Sequence, residues 1–334
     1  METHTISPVT HLRGHKAPVL CLRHAASTSL GNSVLASGSE DKTCRVWDLR
    51  QARAVKGIQN LDDAVSSVAF ASGDANAPEL YLAVGTKVLA YDLRNTSMIL
   101  SENARSFEFS KDEINHIDIN AKGTFLATAD DEGEIKIVDL QSHKIHKKMY
   151  KKHANIAMSV AFHPQKSWEV WSGGLDCKLF TWDFSMGKLK NVFDTVIPDG
   201  GAMFNPPFVH SLTIGASCGT VAAGLGDGSL MLVTGAKAKQ QVTRIPDAHT
   251  NLVNCLSFIT RGRLLTGSAN GQVGLWDTNT KSSEPLARYQ LDSADLTRLN
   301  WLETYAVDDT QYVAAAGIGS SPEQGALCIY SIQQ

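Results

Sequence analysis

The stretch LASGSEDKTCRVWDLR, residues 35–50, decides the fold. An apolar run carries the small residues Ser37 and Gly38, the polar residues Glu40, Asp41 and Lys42 interrupt it, and an alternating run closes on Trp47-Asp48. Period-two alternation on both sides of a polar break marks two short β-strands joined by a tight turn. The arrangement returns as EVWSGGLDCKLFTWDF at 169–184 and as LLTGSANGQVGLWDTN at 264–279. Ahead of each copy stands a histidine followed by an apolar strand: RGHKAPVLCL from Arg13, KKHANIAMSVAF from Lys151 and DAHTNLVNCLSF from Asp247. Weaker copies fill the gaps, and the positions aligned with the closing Trp are 47, 91, 138, 182, 233, 276 and 330. A unit of a few short strands cannot bury both faces of its own sheet, so it must pack between neighbours.

Composition excludes several classes. Hydrophobic residues make up 43% and charged residues 19% of the 334, the balance of a folded globular chain. Net charge is −3 with no polybasic tail, which argues against a nucleic-acid-binding arm or a membrane-surface patch. No apolar run approaches the roughly 18–20 residues of a membrane span, and the N-terminal METHTISPVTHLRGH lacks the regions of a signal peptide. The six cysteines are scattered, with no C-x-x-C pair, as expected of a reduced intracellular chain without disulfides or a zinc site. No G-x-S-x-G elbow, P-loop, H-E-x-x-H or dinucleotide-binding turn occurs. Neither an enzymatic site, a cofactor nor a metal is therefore expected. His116, His143, His146, His163 and His210 have no ligand spacing and read as core or surface residues.

The His, small-residue strand, polar turn and Trp-Asp units resemble the WD-repeat (WD40) family of β-propellers. The resemblance implies an all-β, seven-bladed propeller in one domain over 1–334, with blades at about 13–50, 58–94, 107–141, 151–185, 206–236, 247–280 and 293–332. An N-terminal strand at about 5–12 would close the ring by joining Ala326–Ser331 of the last blade. It further implies buried hydrogen-bonded tetrads: His15, Ser37, Asp41 and Trp47; His153, Ser172, Asp176 and Trp182; and His249, Thr266, Asn270 and Trp276. His, an acid and Ser also spell a hydrolase triad, but a single active site has no need to recur in several units.

Two arginines remain to be explained. WDLR at 47–50 and YDLR at 91–94 repeat one arrangement in successive units, and in a propeller both follow a third strand and so reach the same rim. Tandem W-D-x-R motifs are similar to those of substrate receptors of cullin-four RING ubiquitin ligases. The resemblance implies docking on the adaptor damage-specific DNA-binding protein 1 through Trp47, Asp48 and Arg50 with Tyr91, Asp92 and Arg94, Tyr91 departing from the pattern. A client protein would then occupy the opposite rim. There the acidic residues Glu40, Asp62, Asp63, Asp112, Glu113, Asp130, Asp131 and Glu132 suggest a funnel for a basic peptide. The apolar insertion DTVIPDGGAMFNPPFVH at 194–210 adds Phe204 and Phe208 as candidate client contacts. The alternative is a general scaffold or histone-tail-like peptide reader outside any ligase. Either way the expectation is a monomeric propeller of the nucleus or cytoplasm that binds proteins.

Overall fold

Alternating residues fold every unit into a twisted antiparallel sheet in this computed structural model. It describes all residues except 1–2, 26–32, 72–78, 148, 198–204, 236–239, 261, 281, 293, 295, 308–309, 322–323 and 333–334. Seven sheets follow one another along the chain, and the described residues contain no helix. Blade one is built from Val19–His24, Val34–Ser39, Cys44–Asp48 and Arg53–Ile58, in that order from the inside outward. The first strands of the seven blades line the middle, each touches the next, and Arg298–Val307 of blade seven touches Val19–His24, so the ring is closed.

The small residues in the second strands now have a cause. A Cβ on Gly38 would meet Val65 of blade two at 2.5 Å, and one on Gly173 would meet Val209 of blade five at 2.2 Å. Gly224 and Gly267 stand in the same relation to Val253 and Leu299 of the following blades. Blades approach so closely that only hydrogen fits, and Leu, Val and Ile from both sheets fill the rest of each interface.

A device not legible in the repeat appears at the start of each blade. The pairing of first and second strands slips by one residue at Leu20, Ser66, Asn115, Met158, His210, Asn254 and Asn300. Such a bulge re-aims the extra side chain, and all seven line a central cavity of about 300 Å³. Four of them tie one blade to the next. Ser66 Oγ donates to Ile114 O at 2.5 Å, Asn115 Nδ2 to Ala157 O at 3.2 Å, Asn300 Nδ2 to Val19 O at 3.0 Å, and Asn254 Nδ2 to Leu299 O.

Closure divides the expected N-terminal strand in two. Thr10–His11 pairs antiparallel with Ile329 and Cys328, completing blade seven. Thr3–Ile6 instead runs parallel to Arg288–Leu291 as a fifth strand of blade six. The break falls at Ser7-Pro8, where proline has no N–H to donate to a ladder. The fourth strands, among them Arg105–Phe107, Lys144–Lys147 and Lys188–Asp194, lie in the stretches between the sequence units.

Candidate protein-interaction surfaces

The tetrads hold the turns of one rim, Asp41 accepting from the Lys16 and Thr43 amides and Asp176 from the Ala154 amide. In blade one His15 Nδ1–H donates to Asp41 Oδ2 at 2.9 Å, His15 Nε2 meets Ser37 Oγ at 2.7 Å, and Trp47 Nε1–H donates to that hydroxyl at 2.8 Å. Blade four repeats the chain through His153, Asp176, Ser172 and Trp182 at 2.8–2.9 Å. Burial alone would raise the Asp41 carboxyl, but hydrogen bonds from His15, Thr43 and the Lys16 amide hold it well below the ordinary range. Asp176 is lowered in the same way. Blade six corrects the expectation. His249 bonds Thr266, and Trp276 bonds Thr266, but Asn270 turns to Ser268 and Thr250, leaving the buried His249 Nδ1 without a partner. Burial pushes His249 down to about 3, so it is neutral. In blades one and four the chains satisfy each other's polar atoms inside the sheet.

After Trp-Asp, each third strand turns outward on one rim. Asp48 Oδ1 accepts from the Arg50 amide at 3.0 Å and Arg50 Nε at 3.1 Å, and Oδ2 accepts from Nη2 at 3.0 Å. Asp92 and Arg94 build the same clamp, with the amide at 2.9 Å and Nη2 at 2.7 Å. Both guanidinium groups thus lie flat on their own turn yet stay open to solvent, the side chains being 70% and 66% exposed. Hydrogen bonds from the arginines lower both carboxyls. Trp47 and Tyr91 are buried at 1% and 2%, so of the six expected adaptor-binding residues these two are core residues and cannot touch a partner directly. Asp139 caps the third blade's turn through the Gln141 and Ser142 amides; the capping Asp recurs, and only the arginine is particular to blades one and two.

The two arginine turns are mechanically linked. Past Arg94 the chain crosses back, Ile99–Leu100 pairs parallel with Gly57–Ile58 of blade one, and Lys56 Nζ donates to Ser97 O at 3.1 Å. Beside Arg50 opens a cleft of about 550 Å³ between blades seven and one, which the sequence did not announce. Tyr305 and Tyr312, stacked at 5.4 Å, form one wall with Val307, and Leu49 forms the other.

On the opposite rim Asp62, Asp63, Asp112 and Glu113 are exposed. Asp63 and Asp112 each cap a neighbouring amide, and Asp62 lies 4.0 Å from Lys87. Glu113, which lines the central cavity, is raised by partial burial and by the charges of Asp131, Asp63 and Asp112. Arg298 lines that cavity too, and Asp130 is buried against Lys136, so the rim is less uniformly acidic than expected. Phe208 packs over Gly226 of its own blade rather than standing out, and Phe204 lies outside the described residues. Deeper in the channel a charged cluster escaped sequence reasoning: Arg23 Nη2 bridges to Asp118 at 2.7 Å, Asp118 also accepts the Phe162 amide, and Glu303 accepts the His24 amide. His116, stacked on Trp301 at 5.5 Å, is pushed down to about 4 by burial.

Seven closed blades, repeated His-Ser-Trp chains and Trp-Asp strand ends together define the class: the chain is a seven-bladed β-propeller that carries WD40 repeats. The family profile described as WD domain, G-beta repeat matches residues 6–48, 144–183 and 240–277. Among individual proteins the chain is similar to the WD repeat-containing protein 53 homolog of Dictyostelium discoideum, with 28% identity over 307 residues covering 83% of this chain and 81% of that one. It is also similar to Target of rapamycin complex subunit wat1 of Schizosaccharomyces pombe, at 22% identity covering 75% and 76% of the two chains. Protein NEDD1 of Homo sapiens is 24% identical over 71% of this chain and 34% of its own length. A propeller of this kind is a protein-interaction module.

Proposed function

We propose that this propeller is a non-catalytic substrate receptor of a cullin-four RING ubiquitin ligase, docking on the adaptor damage-specific DNA-binding protein 1 through Arg50 and Arg94. The observation that carries the reading is the repeated Asp-x-Arg clamp. Two guanidinium groups on strapped-together neighbouring blades are oriented by their own carboxylates and keep outward N–H donors for a partner's carbonyls or carboxylates. Asp48 and Asp92 act as positioning residues, and Trp47 and Tyr91 anchor the strand ends beneath them. The similarity to a WD repeat-containing protein 53 homolog supports the WD-repeat organisation on which the reading rests. Purified adaptor titrated with the wild type and with the Arg50→Ala, Arg94→Ala double variant tests it. Binding should fall at least about tenfold in the variant, as for interfacial arginines elsewhere. Equal retention by both proteins refutes the arginine argument.

A second reading, a scaffold or basic-peptide reader outside any ligase, draws on Glu113, which lines the central cavity and is raised by the charges of Asp131, Asp63 and Asp112. It expects a Lys- and Arg-rich peptide to bind at low salt and to be released by Asp62→Lys, Asp63→Lys and Glu113→Lys together. Under that reading the adaptor does not bind the wild type.

A further inference from the structure

The sequence holds five lysines and no carboxylate between 142 and 153, and two more lysines with no carboxylate between 184 and 193, in a chain of net charge −3. The fold brings these two stretches together. Lys144 and Lys188 open the outer strands of blades three and four beside the turns of the arginine rim, and both are exposed. Lys147 Nζ donates to Ser185 O at 3.0 Å and the Tyr150 amide to Gly187 O at 3.1 Å, so the strands' flanks are joined. The carboxylates of the two turns are already used: Asp139 by the Gln141 and Ser142 amides, Asp183 by Ser185 and Lys190. Lys152 is paired with Glu132 at 3.2 Å as Lys190 is with Asp183, whereas Lys144, Lys147 and Lys188 have no ion pair among the described residues.

Apolar groups stand in the middle of this charge. Trp168 is 45%, Met186 47% and Tyr150 69% exposed. Trp168 is held in place by stacking on His146 at 6.1 Å and by contact with Phe184 at 5.2 Å. A preordered tryptophan loses little conformational freedom on binding, which is the property of an interface anchor.

The geometry points to a docking surface at the outer junction of blades three and four for an extended acidic protein segment, with an apolar side chain seated on Trp168 and Met186 and carboxylates paired with Lys144, Lys147 and Lys188. Charge complementarity selects an acidic partner. Methionine and a tryptophan face already covered by His146 select an aliphatic anchor over stacked bases, which distinguishes a protein segment from RNA. This surface lies on the rim of Arg50 and Arg94 but on other blades, and it does not depend on the adaptor reading.

The test uses the full chain and fluorescence anisotropy with three labelled probes: a twelve-residue Glu/Asp peptide carrying a central Leu-Leu pair, the same peptide with that pair replaced by Ser, and a U-rich single-stranded RNA. The anchored peptide should bind saturably, the Ser version at least about tenfold more weakly. Lys144→Glu with Lys188→Glu should weaken the anchored peptide by a similar factor, and so should Met186→Asp. These positions are exposed, so unchanged thermal unfolding shows that the fold survives; Trp168→Ala alone would leave that open. Equal binding of both peptides, binding indifferent to these substitutions, or tighter binding of RNA lost in the same variants would each overturn the proposal.

Discussion

At the scale of single residues, the tetrads explain why the same few side chains recur. Ser172 Oγ serves His153 and Trp182 at once, at 2.8 Å each, in a fully buried position. Ser172→Ala leaves two buried polar groups unmatched and should cost about 1–3 kcal/mol in urea unfolding. Blade six makes the converse prediction. Asn270→Asp offers the unpaired His249 Nδ1 the carboxylate that Asp41 and Asp176 provide elsewhere. It should stabilise the protein by about 1 kcal/mol and move His249 up from about 3, readable by NMR titration. The Asn was visible in the sequence, but its turn towards Thr250 was not, since that depends on competing local partners. The arginines were legible as a pair; that Trp47 and Tyr91 beneath them are sealed in the core follows only from packing.

Elements explain what the units could not say about their own joints. The aligned units stop at Trp-Asp because the first three strands are buried and must alternate, whereas fourth strands such as Lys144–Lys147 and Lys188–Asp194 are largely exposed and carry little apolar pattern. Bulges at the first strands leave no mark in composition either, since the aimed residues include Leu, Ser, Asn, Met and His. Their hydrogen bonds nonetheless bind blade to blade. Asn300→Leu removes the donor to Val19 O at the closing interface and should lower stability by about 1–2 kcal/mol in the same assay. Truncation distinguishes the two N-terminal strands. Removing residues 1–7 strips only the fifth strand from blade six and should shift the melting temperature slightly. Removing 1–12 also takes away the closing strand and the buried Leu12, about 2 kcal/mol of apolar burial alone, and should break the single unfolding transition.

For the whole molecule, ring closure gathers charges that are far apart in the chain. Arg23 and Asp118 meet across the channel from blades one and three, with Glu303 of blade seven nearby, and no local pattern could have paired them. Arg23 is a third exposed to the channel while Asp118 is nearly buried, so Arg23→Met leaves that carboxylate without its cation and should destabilise by about 1–3 kcal/mol in urea unfolding. Burial also makes the ring acid-sensitive. His116 and His210 sit near 4 and His249 near 3, below the roughly 6.5 of an unfolded histidine. The unfolded chain therefore binds more protons between those values. Stability should fall as pH drops from about 6.5 towards 4, by up to about 1.4 kcal/mol per pH unit for each histidine. Asp41 and Asp176, lowered in the fold, add a further loss only below about pH 4. Urea midpoints at pH 7.5, 6 and 5 that do not decline would contradict this. By itself the sequence determined the repeat, its seven units, the tetrads of blades one and four and the paired arginines, because alternation and turn chemistry are local and every blade solves the same burial problem. Only the tertiary structure decided the split of the N-terminal strand, the cavity-lining bulges, the channel's charges and the lysine-rich junction of blades three and four, because each arises where segments distant in the chain are forced together by closing the circle.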